Sequence, residues 1–258
     1  MVDFSGKKRV VIKVGTSNIA YKTGNLNMRR VEKLVRVLAD IRNSGREVIF
    51  VTSGAIGVGM ARLNLGRRPT DIPTKQACAA IGQSELMNIY DNEFSKYNRP
   101  IAQILMTRDV ISNNERRQNA RNTFEKLLEM GVIPIINAND TISLSHLDFD
   151  ENDTLSAAVA KLTEADLLVM FTDVDGLYAN YPPEPGEKHI PVVEKITDEM
   201  IYAAKGKGSE LSSGGMITKL EAAMIAKEDN IPTVIINGEN LEILYDLFEN
   251  KAVCTVFV

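Results

Sequence analysis

Short runs of β-branched and aliphatic residues alternate along this chain with longer amphipathic stretches, and that rhythm constrains the fold more than any other feature. Strands are expected over Arg9–Val14, Glu47–Thr52, Ile101–Met106, Val132–Ile136, Leu167–Phe171 and Thr233–Ile236. Between the first two, Val31, Leu34, Val35, Leu38 and Ile41 recur at helical spacing, and Gly45 stands where such a helix should stop. Further helices are expected over Thr74–Tyr97, Glu115–Met130, Thr154–Thr163, Met216–Asn230 and Leu241–Asn250. Near-continuous apolar strands with helices between them imply a mostly parallel sheet covered on both faces, and so an α/β fold of three layers, α/β/α, with right-handed crossovers. The 258 residues suffice for one large domain with a sizeable core. The composition, 44% apolar and 25% charged, excludes a disordered or collagen-like chain.

The charge balance narrows the partners. Thirty basic against 34 acidic side chains leave a net charge of −4, which argues against nonspecific nucleic-acid binding but permits a local basic pocket. Cys78 and Cys254 are the only cysteines and form no C-x-x-C pair, so a disulfide framework and a cysteine zinc site are both disfavoured and a reducing compartment fits. Lys13 interrupts the first apolar run, as it would not in a signal peptide, and no run approaches the roughly 18 residues of a membrane span. The chain reads as soluble and cytoplasmic. Three segments break the rhythm: the proline-rich stretch from Tyr178 to Lys195 (a candidate partial lid), Asp140–Asp150, and Gly206–Gly215. A soft boundary near Phe171 separates two halves without a linker.

The chemistry-bearing residues gather where strands are expected to end. Lys13-Val14-Gly15-Thr16-Ser17 puts a cation and free backbone N–H groups at the crevice where α/β sheets bind ligands, although an edge lysine before an ordinary turn explains it equally well. Thr52-Ser53-Gly54-Ala55-Ile56-Gly57 would let backbone donors approach an anion at a helix start, or simply make a tight strand–helix turn. The glycine spacing there is not the dinucleotide fingerprint, and the chain contains no G-x-x-x-x-G-K-[ST] string. Asn137-Ala138-Asn139-Asp140 precedes an acidic cluster of Asp148, Asp150, Glu151, Asn152 and Asp153. A calcium loop fails there, because Asp153 holds the position that needs glycine and Val159 the one that needs glutamate. Asn152 or Asp153 could cap the following helix, which accounts for one such residue rather than the cluster. Thr172-Asp173-Val174-Asp175-Gly176 ends another strand, as a ligand-facing edge or as a common turn. Finally, Gly214-Gly215-Met216-Ile217-Thr218-Lys219 opens a helix with a lysine in its first turn, against the helix dipole, an arrangement better explained with a phosphate beside it. His146 and His189, the only histidines, lie in loop-like stretches and suggest neither a metal pair nor a triad. Arg29, Arg30, Lys33 and Arg36 read as a solvated or oligomer-facing surface.

In order along the chain, the segments at Lys13–Ser17, Val51–Ile56, Ile136–Asp140, Asn152–Ala157, Thr172–Tyr178 and Gly214–Lys219 resemble the amino acid kinase family, and within it the branch that phosphorylates free glutamate. The resemblance covers nearly the whole chain. It implies transfer of the γ-phosphoryl group of ATP to the γ-carboxylate of L-glutamate, with Mg²⁺ bridging the phosphates, as the first step of proline biosynthesis. It implies a single domain over 1–258, with the amino-acid side over roughly 1–171 and the nucleotide side over roughly 172–258. The C-terminal PUA domain of many relatives would be absent. By the same resemblance Lys13 and Lys219 flank the transferring phosphoryl group and Asp153 orients them. Ser53, Asp140 and Asn152 would hold glutamate, with Gly54 and Asn137 nearby. Lys13, Thr172, Asp173, Ser213, Gly214, Gly215, Met216, Ile217, Thr218 and Lys219 would contact ATP, and no protein residue is assigned as a metal ligand. A homo-oligomer (dimer or tetramer), feedback by proline and a downstream glutamyl phosphate reductase are implied as partners; nucleic acid and membrane are not.

Two departures from the family pattern stand out: Ala138 where Glu is common between the two asparagines, and Asp150-Glu151 in place of a frequent Gly-Asp. Relatives acting on N-acetylglutamate, aspartate or a nucleoside monophosphate are the enzyme rivals, and a non-catalytic amino-acid sensor on the same fold is the rival of another class. Ser53-Gly54-Ala55-Ile56 with Asn137 and Asp140 favours free glutamate, whose amino group wants acceptors. The presence of Lys13, Asp153 and Lys219 together argues against a mere sensor.

Overall fold

The computed structural model describes residues 2–21, 25–142, 152–180, 184, 186–204 and 215–258. The elements run β1 (Arg9–Lys13), α1 (Met28–Asn43), β2 (Glu47–Val51), α2 (Ala55–Arg62), α3 (Ile72–Ser95), β3 (Ile101–Met106), α4 (Arg108–Ser112), α5 (Asn114–Glu129) and β4 (Ile133–Ala138). They continue with α6 (Asn152–Leu162), β5 (Leu167–Thr172), β6 (Val192–Val193), α7 (Asp198–Ala204), α8 (Met216–Lys227), β7 (Thr233–Asn237), α9 (Ile243–Phe248) and β8 (Cys254–Phe257). All six expected strands are present with ends within two residues of the expected ones.

One sheet holds every strand, in the order β3-β4-β2-β1-β5-β7-β8-β6. β1 lies at its centre, pairing in parallel with β2 (Lys13 opposite Val51) and with β5 (Lys13 opposite Met170). β7 and β8 pair antiparallel, which makes the sheet mixed at one end. Burial on both faces explains the unbroken apolar strands. Val10, Ile12, Val48 and Phe50 point to one core with α1, α3 and α9, while Val11, Ile49 and Val51 point to the other with α5, α6 and α8. The three-layer sandwich follows directly from that alternation.

The caps are local. Asn27 accepts from the Arg30 backbone N–H, Asp71 from Thr74 and Asn113 from Arg116, each at a helix start. Of the basic run on α1, Arg30 is engaged within the chain, while Lys33 and Arg36 form exposed ion pairs and Arg29 is exposed. Arg30 donates to the carbonyls of Asn18, Gly238 and Glu239, and Lys33 and Arg36 pair with Glu242 just before α9. These contacts tie α1 to the loop after β7 at the same sheet edge as Lys13.

Candidate active site

Every strand that carries a candidate residue delivers it at its carboxyl end, because parallel strands bring those ends to one side of the sheet. Lys13 is the last residue of β1, Ser53 lies two residues past β2, Asn137 and Ala138 end β4, and Thr172 ends β5. From the other direction, α6 and α8 present their first turns to the same edge.

At the centre lies Asp153, wholly buried in the first turn of α6. Its Oδ1 is 2.5 Å from Lys13 Nζ, and its Oδ2 is 3.1 Å from Lys219 Nζ and 2.8 Å from the Thr218 hydroxyl. Lys13 and Lys219 are themselves only 7% and 6% exposed, so neither ammonium is dissolved in bulk water. Burial alone would push the Asp153 carboxyl up; the two lysines outweigh it and hold the group well below the usual carboxylate range. Two ammoniums on one carboxylate leave a net charge of +1 at the head of a crevice. The reading of Asp153 as a helix cap is thereby corrected: it lies inside the helix, and its carboxylate faces the lysines. Lys219 likewise has a protein partner, so its place against the dipole of α8 is offset by Asp153 before any ligand arrives.

A second cluster adjoins the first. Asn152, beside Asp153 on α6, donates from Nδ2 to the Ser53 hydroxyl at 2.9 Å and to Asn137 Oδ1 at 3.2 Å. Asn137, 1% exposed, donates in turn to Gln83 Oε1 of α3 at 2.9 Å. The neighbouring Thr52 hydroxyl lies 2.8 Å from the buried hydroxyl of Tyr90, also on α3. Gly54 makes the turn into α2 with φ +103°, a conformation that side chains other than glycine rarely adopt, and it exposes the first backbone N–H groups of that helix. Asp140, two residues past β4, is half-buried; burial raises its pKa, and no described residue offsets the rise.

The remaining predicted residues frame the opposite wall. Thr172 is buried at the end of β5, its hydroxyl 3.2 Å from the exposed Asp173 carboxylate. Asp175 accepts from Asn237 Nδ2 at 2.8 Å, bracing the turn after β5 against β7. Gly215 is the extended residue before α8, and the Met216 side chain is buried in the core, so what these two present to the crevice is backbone. Ile217 is half-buried, and Thr218 and Lys219 have been placed above. Ser213, Gly214, His146, Asp148, Asp150 and Glu151 lie outside the described residues. His189 packs edge-on to Tyr178, ring centroids 6.4 Å apart, well along the loop from the lysines. Sequence reasoning missed Gln83 and Tyr90, which sit mid-helix with no local pattern to mark them.

Residues 8–237 match the model of the amino acid kinase family. The chain belongs to that family. Among its relatives, glutamate 5-kinase of Enterococcus faecalis is 45% identical over 256 residues, covering 97% of this chain and 94% of the relative. Glutamate 5-kinases of Listeria innocua and Clostridium perfringens are 48% and 46% identical, each covering 97% of this chain and 92% and 95% of the relative. The fold is shared more widely. The crystal structure of UMP kinase from Ureaplasma parvum superimposes with a TM-score of 0.64 at 16% identity over 99% of this chain and 97% of that one. Carbamate kinase from Giardia lamblia bound to AMP-PNP gives 0.68 at 18% identity over 98% and 99%. These two are members of the same fold, and what they bind concerns them alone.

Proposed function

We infer that this amino acid kinase transfers the γ-phosphoryl group of ATP to the γ-carboxylate of L-glutamate, giving L-glutamyl 5-phosphate and ADP, the opening step of proline biosynthesis. The observation that carries this reading is the pair of buried lysines sharing Asp153, whose neighbour Asn152 on α6 bonds Ser53 and Asn137. The identities of 45–48% to glutamate 5-kinases over nearly full length support the choice of substrate.

The chemistry asks little more of the protein. A γ-carboxylate with a pKa near about 4.3 is ionised at neutral pH, so the nucleophile needs no general base. Phosphoryl transfer passes through a loose state with charge on the equatorial oxygens, and catalysis is mostly positioning and fixed positive charge. Lys13 and Lys219 supply that charge from two sides, and Asp153 holds both without cancelling them. The Ser53 hydroxyl, held by Asn152, would meet the amino acid's carboxylate, and Asp140 its ammonium, an ion pair that answers the carboxylate's burial. Thr172, Asp173 and the backbone from Gly215 to Lys219 would line the nucleotide side, with Ser213 and Gly214 continuing it. The two halves of the chain, roughly 1–171 and 172–258, would thus serve the amino acid and the nucleotide within one domain.

Mg²⁺ would enter on the nucleotide's phosphates. Among the described residues there is no group of three or more His, Cys, Asp or Glu side chains disposed to cage an ion, and both oxygens of Asp153 face cations. That donor set suits a metal held chiefly by phosphate oxygens and water. Among the described residues no helix is long and apolar enough to cross a membrane. A cytoplasmic homo-oligomer inhibited by proline, passing its labile acyl phosphate to a glutamyl phosphate reductase, belongs to the same reading.

The test is a comparison of L-glutamate with N-acetyl-L-glutamate in an ADP-release assay. Free glutamate should be turned over with at least about a hundredfold higher kcat/KM, since acetylation removes the charge that Asp140 would pair and leaves that carboxylate buried alone. A preference for the acetylated substrate would remove the assignment.

A further inference from the structure

The side chains around Ser53 form a chain of donors and acceptors whose direction is set by one group that cannot reverse. The backbone N–H of Ala138 can only donate, and it lies 2.9 Å from Asn137 Oδ1 and 3.3 Å from Asn152 Oδ1. A carboxamide can in principle turn over, but here both oxygens must face that N–H. Asn137 therefore offers its NH₂ to Gln83, and Asn152 offers its own to Ser53 and to Asn137 Oδ1. Gln83, 7% exposed in the middle of α3, closes the chain by accepting through Oε1, and its own NH₂ donates to no described residue. At the other end, Ser53 Oγ accepts from Asn152, and no described residue takes the Ser53 proton. The hydroxyl is left as a donor aimed outward.

We propose that Gln83 is a positioning residue that fixes the sense of this hydrogen-bond chain, so that the Ser53 hydroxyl meets the substrate as a donor and selects a carboxylate there. The proposal deepens the glutamate reading and rests on it. Without an acceptor at position 83, the Asn137 NH₂ is buried and unsatisfied. The amide then loses the contact that anchors its NH₂ end, its orientation is held from one side only, and Asn152 and Ser53 lose their fixed geometry in turn. Gln83 touches no substrate in this scheme. It acts through Asn137, whose backbone and side chain are held at the end of β4. Ala138 enters this chain through its backbone N–H.

The experiment compares Gln83→Met, which keeps the size and removes the acceptor, with Gln83→Glu, which keeps the acceptor and loses only donors that have no described partner. With wild-type turnover of glutamate measured first, KM for glutamate should rise about tenfold in Gln83→Met, as expected for a broken buried hydrogen bond, while kcat and KM for ATP stay within about twofold. Gln83→Glu, assayed with wild type at pH 6, where burial favours its neutral carboxyl, should stay within about threefold of wild type on all three, because the carbonyl acceptor is retained. In the free proteins, the Asn152 side-chain amide protons should exchange slowly in wild type and Gln83→Glu and rapidly in Gln83→Met. This second readout needs no substrate and holds whether or not glutamate is the amino acid bound. Equal behaviour of the two variants in the exchange measurement would overturn the proposal. So would a Gln83→Met enzyme that turns glutamate over with wild-type KM, or one in which KM for ATP rises and kcat falls along with the change in KM for glutamate.

Discussion

Asp153 is one buried carboxylate shared by two buried lysines. A lone buried carboxylate is costly, and two buried ammoniums are costlier; together they are tolerated, and one positive charge is left over. Asp140 is the opposite case, a carboxylate half-buried with nothing to offset it among the described residues. Its pKa is raised by burial, so its contribution to stability is fully present below the unfolded value near about 3.9 and is lost as pH rises through the higher folded value. At neutral pH the ionised group is therefore a penalty in the free enzyme. Asp140→Asn should raise the melting temperature of the ligand-free protein at pH 7.5, and the gain should shrink as pH is lowered toward 4 in thermal melts. The same variant should raise KM for glutamate at least about tenfold, the usual size of a lost charged hydrogen bond. A lower melting temperature at pH 7.5 would show that Asp140 is satisfied in the free protein. Of the residues involved, Lys13 and Lys219 were legible from their positions at an expected strand end and helix start, while Asp153 read by position as a cap and took its place between them only from the family resemblance. Gln83 was not legible, since a glutamine inside a long helix gives no sign of which way it points until Asn137 is set opposite it.

At the scale of elements, the six long strands and the helices between them were readable because each buries a continuous or regularly spaced apolar set. The elements the sequence left unmarked, α2, α4, α7 and the two-residue β6, are too short for a period to show. β8 is missed as a partner for another reason: nothing local in Cys254–Phe257 says that it pairs antiparallel with β7. Of these, α2 matters most for the site, because it follows Ser53 and Gly54 directly. It is held against α3 by two glycines. A Cβ on Gly82 would sit 1.8 Å from the Ala55 carbonyl oxygen, and one on Gly59 would sit 1.9 Å from that of Cys78. These obstacles are backbone, so a methyl group can be accommodated only by moving the helices apart. Gly82→Ala should destabilise the protein by about 1–3 kcal/mol in urea unfolding, as overpacked cores do, and should raise KM for glutamate by shifting the start of α2. An unchanged urea midpoint with unchanged KM would mean that the two helices do not need this approach.

Across the whole molecule, the parallel sheet sets residues that are far apart in sequence side by side. Lys13 and Lys219 are separated by most of the chain, yet β1 at the centre of the sheet and α8 on its flank bring them to the two oxygens of one carboxylate. The family resemblance implied that Asp153 orients both lysines; the packing of α6 between β1 and α8 gives each of them one of its oxygens. The central claim is that the surplus positive charge of this trio stabilises the migrating phosphoryl group. Lys219→Met tests it most directly, because Lys13 and Asp153 remain as a neutral pair and the fold is kept while the surplus is removed. Measured at saturating glutamate and ATP, kcat should fall by at least about 10²-fold, as when an aimed donor is taken from a developing anion. A kcat within tenfold of wild type, in a variant shown to be folded, would contradict the account.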